Sequence, residues 1–244
     1  MKNFSPNMLK TYQSCPLKYN LKFNEKITIP QNPAFFEKGK KIHALANYYH
    51  RGADITKLEK ALNESEREIW KRLKNNEYFS KKCLHSEYPI TAKIDDIWIF
   101  GRLDAIVCEA VGEVSARSFE VNEKDTGTCG QLGPDEEKCA SSHSYWILDY
   151  KTGSIPKNPE KDFQTMIYLL CADLILPPRK SLSFVYIDLK NNENKVIEFT
   201  PELKEFYENT IKQQCREILA TKDFEGKENR EHCRFCEYNK ICRY

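Results

Sequence analysis

The sequence predicts an α/β fold: a mixed central sheet flanked by helices, with a helical layer at the N-terminus and a cysteine-rich tail at the C-terminus. Three observations carry that expectation. The first 80 residues read mostly as helix, and the character changes near Cys83 to short runs rich in β-branched and aromatic side chains. One such run, residues 145–151, is followed by a helical pattern and a further strand, which makes an α/β crossover.

The elements follow in order. Residues 5–14 read as a helix capped by Ser5, with Pro6 at the first helical position and Cys15-Pro16 as the break. A second short helix runs through Phe23, and after the loop between Pro30 and Pro33 residues 35–50 are helical. Residues 57–74 form a longer helix, with Thr56 and Glu59 as a capping box and Leu58, Leu62, Ile69 and Leu73 as its apolar stripe. Residues 85–92, 97–101 and 103–108 read as a three-strand meander with Asp95-Asp96 at a turn. Residues 109–144 are polar and rich in Gly, Ser and Glu, an insertion between two core strands. The strand at 145–151 leads through Thr152-Gly153 to a helix over about 161–176, which stops at Pro177-Pro178. Strands at 182–189 and 195–199 flank Asn191-Asn192-Glu193-Asn194, and a last helix runs from Thr200-Pro201 to about Thr221. With 244 residues and 40% apolar content, one domain is expected.

Composition narrows the function. The net charge of +2 supplies no global field for nucleic acid, so any positive surface is local. No apolar run reaches membrane-spanning length and no secretory leader is visible, so a soluble cytoplasmic protein with no membrane partner is expected. In that setting the ten cysteines read as reduced thiols or metal ligands. The absence of a G-x4-G-K phosphate loop argues against a built-in ATP motor.

Gly101-Arg102-Leu103-Asp104 and Asp149-Tyr150-Lys151 hold the chemistry. Strand alternation puts Asp149 and Lys151 on one face and Trp146, Leu148 and Tyr150 on the other. With Asp104 on a neighbouring strand, two hard oxygen ligands and one ammonium converge, an arrangement suited to Mg²⁺ or Mn²⁺ and a phosphodiester. A surface ion pair is the plainer alternative, and the apolar flanks Ile147-Leu148 and Ala105-Ile106-Val107 argue against it. His43, on a helix near Tyr48 and Tyr49, reads either as a packed histidine or as a ligand; Glu87 reads as solvated or as a group near the metal. Gln164 and Tyr168, four apart, share a helix face.

Cys233-x2-Cys236-x5-Cys242, with Cys15 far upstream, offers four thiolates, and spacing alone does not separate zinc from an iron-sulfur cluster. His232 is a spare ligand candidate. Cys108, Cys129, Cys139 and His143 border or occupy the insertion at spacings that match no tight ligand knuckle, so a loop with incidental thiols is expected there. Cys83, Cys171 and Cys215 read as small buried hydrophobes.

The order of helix, meander with G-x-x-D, strand with D-x-K, and helix with Q-x3-Y resembles the PD-(D/E)XK nuclease superfamily, in its RecB-like branch. The resemblance rests on Gly39-x3-His43, Glu87, Gly101 to Asp104, Asp149-Tyr150-Lys151-Thr152-Gly153 and Gln164-x3-Tyr168. It implies a restriction-endonuclease-like core over residues 83–221 and an Mg²⁺- or Mn²⁺-dependent exonuclease acting on single-stranded or duplex DNA ends. Repair, recombination or CRISPR spacer acquisition would be its setting, with a helicase or CRISPR-adaptation protein acting in trans. By the same resemblance Asp104 and Asp149 are metal ligands, with the Tyr150 carbonyl, His43 and Glu87 as further candidates. Lys151 orients the attacking water, while Gln164 and Tyr168 touch DNA or support the site. Cys15, Cys233, Cys236 and Cys242 resemble the 4Fe-4S staple of AddB-type and CRISPR-associated RecB-like exonucleases, tying residues 226–244 to Cys15. Two departures are Asp149, where many relatives carry Glu, and the long insertion. The other readings are a weakly or non-catalytic DNA-binding subunit of a recombination or CRISPR-adaptation complex, and a zinc-ribbon interaction protein.

Overall fold

The computed structural model describes residues 3–30, 34–110, 143–227 and 233–242. The N-terminal part holds β1 (Asn3–Phe4), α1 (Pro6–Ser14), α2 (Pro16–Tyr19) and a π-helical turn at Asn20–Asn24. It continues through α3 (Ala34–His50), α4 (Thr56–Lys60) and α5 (Glu64–Lys74). Then come β2 (Lys82–Ile94), β3 (Ile97–Ala110), β4 (His143–Lys151), a 3-10 turn at Pro159–Lys161, α6 (Phe163–Ile175), β5 (Ser181–Asp188), β6 (Glu193–Glu198) and α7 (Pro201–Ala220). Among the described residues no helix is long and apolar enough to cross a membrane.

The strands form one mixed sheet in the order β1-β3-β4-β5-β6, with β2 on the second edge of β3. The β4–β5 pair is parallel and bridged by α6, while β2–β3, β3–β4 and β5–β6 are antiparallel. One face buries Leu103, Ile106, Ile147, Phe184 and Tyr186 against α6, α7 and α1 side chains such as Ile167, Tyr207 and Leu9. The other buries Ala105, Val107, Leu148, Tyr150 and Val185 against Ile42 and Leu45 of α3 and Trp70 and Leu73 of α5. Helices therefore cover both faces, and β4, half-buried on neither side, alternates apolar residues into both layers.

Several expectations need correcting. The helix expected over 57–74 is two, because Asn63 and Glu66 cap α5 reciprocally: Glu66 N–H donates to Asn63 Oδ1 and Asn63 N–H to Glu66 Oε2, each at 2.9 Å. Glu66 is buried and paired with Lys41, which favours this box over Thr56 and Glu59; Leu58, expected in the stripe, is exposed. The three-strand meander is a two-strand hairpin, since Gly101 and Arg102 pair with Ile90 and Pro89 without interrupting β3. Helix α6 starts at Phe163 with Asp162 as its cap. Strand β1, parallel to β3 at Trp98 and Ile99, leaves no trace in the sequence, because two residues carry no periodicity. Cys129, Cys139 and His232, and residues 111–142 of the insertion, lie outside the described residues.

Candidate active site

The β3–β4 ladder ends at Ala105 opposite Leu148, one residue short of Asp104 and Asp149. Because β2 occupies the other edge of β3 and β1 resumes pairing only at Ile99, residues 100–104 face a gap between β1 and β4. Side chains from both helical layers meet in this gap. At the same point β3 loses its alternation: Leu103 packs on one face and Ala105 on the other. Across β2, Glu87 drops out of the pairing between Ser86 and Tyr88 and adopts a left-handed φ of 49°. A glutamate held there carries backbone strain, and such strain concentrates at functional sites.

From the α6 side, Gln164 Nε2 donates a short hydrogen bond to Asp149 Oδ1, and Lys151 Nζ donates to Gln164 Oε1 at 3.4 Å. Asp149 is 3% exposed; its Oδ2 lies 2.8 Å from Lys151 Nζ yet receives no directed hydrogen bond among the described residues. Burial, aided by the Asp104 charge and opposed by Lys151, raises the Asp149 carboxyl from 3.8 to about 6. Burial works against the Lys151 ammonium, but Asp149 and Asp104 outweigh it and hold its pKa above 10.5. The Tyr186 ring lies 5.8 Å from that ammonium and adds a cation–π contact.

From the α3 side, His43 Nδ1 lies 3.1 Å from Asp104 Oδ1 and 3.8 Å from Glu87 Oε1, and Nε2 lies 3.0 Å from the Tyr150 carbonyl oxygen. Tyr150 N–H donates to Asp104 Oδ2 at 2.9 Å, so that carboxylate bridges the parted strands. Donor atoms of His43, Glu87 and Asp104 all lie within 4.8 Å of one another. Asp149 is outside that trio, its carboxylate turned to Lys151 and Gln164. Burial opposes a charge on His43, but Asp104 and Glu87 prevail and raise its pKa from 6.5 to about 10.

A cavity of about 750 Å³ gathers Gly39, Lys40, His43, Glu87, Arg102, Asp104, Asp149, Lys151, Gln164 and Tyr168. Tyr168 lies across Gly101, where a Cβ would sit 2.4 Å from its Cε1. Only glycine admits that ring, which gives the first position of Gly101-x-x-Asp104 a steric reason. At Gly39, by contrast, a Cβ would meet Thr152 Oγ1 at 3.4 Å, an ordinary contact.

Sequence reasoning missed four participants. Arg102 Nε pairs with Glu87 Oε2 at 2.9 Å, Lys40 stands exposed at the rim, and Asn47, one turn beyond His43, brings a buried Oδ1 with no hydrogen-bond partner among the described residues. Asp162 caps α6 by accepting from Gln164 N–H at 2.8 Å. Arg102 and Asp162 stand one and two places from expected residues, and the i, i+4 spacing from His43 points to Asn47.

The cysteine tail docks on the N-terminal helices. Leu17 N–H donates to Glu225 O at 3.1 Å, Lys227 Nζ to Gln13 O at 2.8 Å and Tyr238 OH to Ile27 O at 2.7 Å. Cys15, Cys233, Cys236 and Cys242 together line a mostly apolar cavity of about 280 Å³ with Leu17, Leu21 and Phe235. Cys15 Sγ also accepts from Lys18 N–H at 3.5 Å. Cys171 and Cys215 are fully buried, and Cys83 is half-buried.

Among solved structures the chain is similar to a candidate exonuclease from Eubacterium rectale, with TM-score 0.52 and 11% identity over 98% of this chain and 88% of that one. It is also aligned with SSO0001 at TM-score 0.42 and 18% identity, over 99% of this chain and 85% of that one. No curated protein matches the sequence. The family description that matches residues 3–124 and 137–243 is the PD-(D/E)XK nuclease superfamily, and with both carboxylate strands, the lysine and the flanking helices inside that span, the chain belongs to it.

Proposed function

We propose that this nuclease-superfamily chain is a divalent-metal-dependent DNA exonuclease hydrolysing phosphodiester bonds, with Asp104, Asp149 and Lys151 as its catalytic set. The observation that carries the reading is the buried Asp149 carboxylate, one oxygen of which lacks a directed donor among the described residues, beside an ammonium and a second carboxylate at a break in the sheet. Hard oxygens with one imidazole fit Mg²⁺ or Mn²⁺. Asp104, Asp149 and the Tyr150 carbonyl, with His43 and Glu87, would hold the ion. When bound, it would neutralise phosphate charge and acidify a water molecule.

The chain's own groups do the rest. Lys151, fixed between Asp149, Gln164 and the Tyr186 ring, keeps its charge at neutral pH and orients water toward phosphorus while stabilising negative charge on the phosphate oxygens. Gln164 holds Asp149 in one rotamer. Lys40 and Arg102 at the cavity rim supply cations for the DNA backbone. Incubation of the protein with end-labelled single- and double-stranded DNA, with Mn²⁺ or with EDTA, tests the reading. Metal-dependent shortening that Lys151→Ala abolishes supports it; equal activity in both proteins sinks it.

The tail reading is a 4Fe-4S cluster on Cys15, Cys233, Cys236 and Cys242. All four cysteines line one cavity, and the Lys18 amide donating to Cys15 suits a cluster thiolate. A brown, anaerobically purified protein with about four irons per chain would agree; a colourless one with a single zinc would not. The setting in repair, recombination or CRISPR spacer acquisition, beside a helicase or adaptation protein, rests on the family resemblance.

A further inference from the structure

Asp162 lies apart from the reacting groups yet fixes one of them. Its Oδ1 accepts from Gln164 N–H at 2.8 Å and meets Lys10 Nζ at 2.7 Å. Gln164 is the second residue of α6, so the pose of that first turn sets where its amide points, and the amide contacts both Asp149 and Lys151. An exposed ion pair would contribute little, but the Asp162 side chain is only 11% exposed and the same oxygen serves both partners.

Lys10 belongs to α1, which contributes nothing to the catalytic cavity. The far end of α1 is held by the tail: Lys227 donates to Gln13 O, and Ser14 lines the cysteine cavity. Lys10 and Ser14, four apart, share one helix face, so about one helical turn separates the two sites' contacts on α1. Tyr12 adds a brace from the same helix to α7 through Thr221 and Glu217.

We propose that Lys10 and Asp162 are positioning residues that carry the docking of the cysteine tail on α1 to the Gln164–Asp149–Lys151 array. The proposal rests on reading that array as the nuclease site. Without Lys10 the shared Asp162 oxygen loses one of its two anchors, α6 is free to shift against α1, and Gln164 holds Asp149 less firmly. The tail then supports catalysis without touching the substrate.

The test uses the full-length chain with its tail loaded as purified, and the variants Lys10→Met, Lys10→Arg, Asp162→Asn and Lys227→Met. Asn keeps the capping oxygen while removing the ion pair, and Lys227→Met removes a tether without touching a cysteine. Mn²⁺ affinity by calorimetry, kcat and KM on labelled DNA, and thermal melting are measured for each. Lys10→Met and Asp162→Asn each lower kcat about 10-fold with KM unchanged and weaken Mn²⁺ binding, their double variant is no worse than either, and Lys10→Arg restores most of the loss. Lys227→Met lowers kcat in the native background but not in Lys10→Met. Wild-type kcat and Mn²⁺ affinity in both single variants, or additive losses in either double variant, overturn the proposal. A native protein that binds Mn²⁺ but leaves DNA intact sinks the nuclease reading, and the relay is then decided on Mn²⁺ affinity; one that binds no Mn²⁺ overturns both.

Discussion

His43 Nε2 lies 3.0 Å from the Tyr150 carbonyl oxygen, and its other nitrogen lies 3.1 Å from Asp104 Oδ1. Both partners only accept, so both nitrogens must donate and the ring is an imidazolium, in accord with a pKa raised to about 10. In the metal-free protein His43 thus satisfies two oxygens assigned to a metal ion, and an incoming cation must displace its proton. Mn²⁺ affinity should therefore rise by about tenfold per pH unit from neutrality toward pH 10, with about one proton released per ion. Calorimetry in buffers of different ionisation heats reads that proton. The stability that His43 contributes, raised-pKa base that it is, is complete below pH 6.5 and fades as pH climbs through about 10. Proton-free binding at pH 7.5 would contradict the imidazolium.

Glu87 holds a left-handed backbone inside a strand, a conformation glycine accepts without penalty. The strain is repaid by placing a carboxylate beside His43 and Asp104. Glu87→Gly should leave stability unchanged or raise it by about 1 kcal/mol while weakening Mn²⁺ binding. Urea denaturation paired with an Mn²⁺ titration checks this, and a glycine variant that lost stability while keeping full metal affinity would contradict it.

Gly101 and Tyr168 are matched in shape. A methyl at position 101 would overlap the Tyr168 ring at 2.4 Å, so Gly101→Ala should cost about 1–3 kcal/mol. In a Tyr168→Ala background the same change should cost almost nothing, because the overlapping atoms are gone. A double-mutant cycle on urea midpoints measures the coupling, and equal costs in both backgrounds would refute the steric account.

The legible parts of this molecule are those with local signals. Period-two alternation put Asp149 and Lys151 on one face and Leu148 and Tyr150 on the other, and the strand–helix–strand order anticipated the β4–α6–β5 unit. Ser5, Pro6 and Thr200 mark helix starts that the structure shares. A local pattern can also mislead: Thr56-x-x-Glu59 reads as a capping box, but the box the structure forms is Asn63 with Glu66, whose burial against Lys41 no local pattern signals. Contacts between distant segments leave no periodic trace. The pairing of Lys10 with Asp162, the alternation break at Asp104 and the left-handed Glu87 opposite it arise only when β2, β3, α1 and α6 are assembled.

Lys151 and Asp149 form a buried pair whose balance shifts with pH. The Asp149 pKa, about 6, lies above its ordinary 3.8, so its contribution to stability is full below pH 3.8 and lost as pH rises through about 6. Lys151 limits that loss by offering a counter-charge 2.8 Å away. Lys151→Met removes it, pushes the Asp149 pKa higher still, and leaves either an uncompensated carboxylate or a proton bound at a cost that grows with pH. The variant should be roughly 3 kcal/mol less stable than the native protein at pH 8 in EDTA. At pH 5, where Asp149 is protonated in both proteins, the difference should shrink by more than half, and nuclease activity at pH 8 should fall by about 100-fold or more. Thermal melts of both proteins across pH 5 to 8 compare the two, and a stability gap that stays constant over that interval would mean that Lys151 packs beside Asp149 without governing its charge.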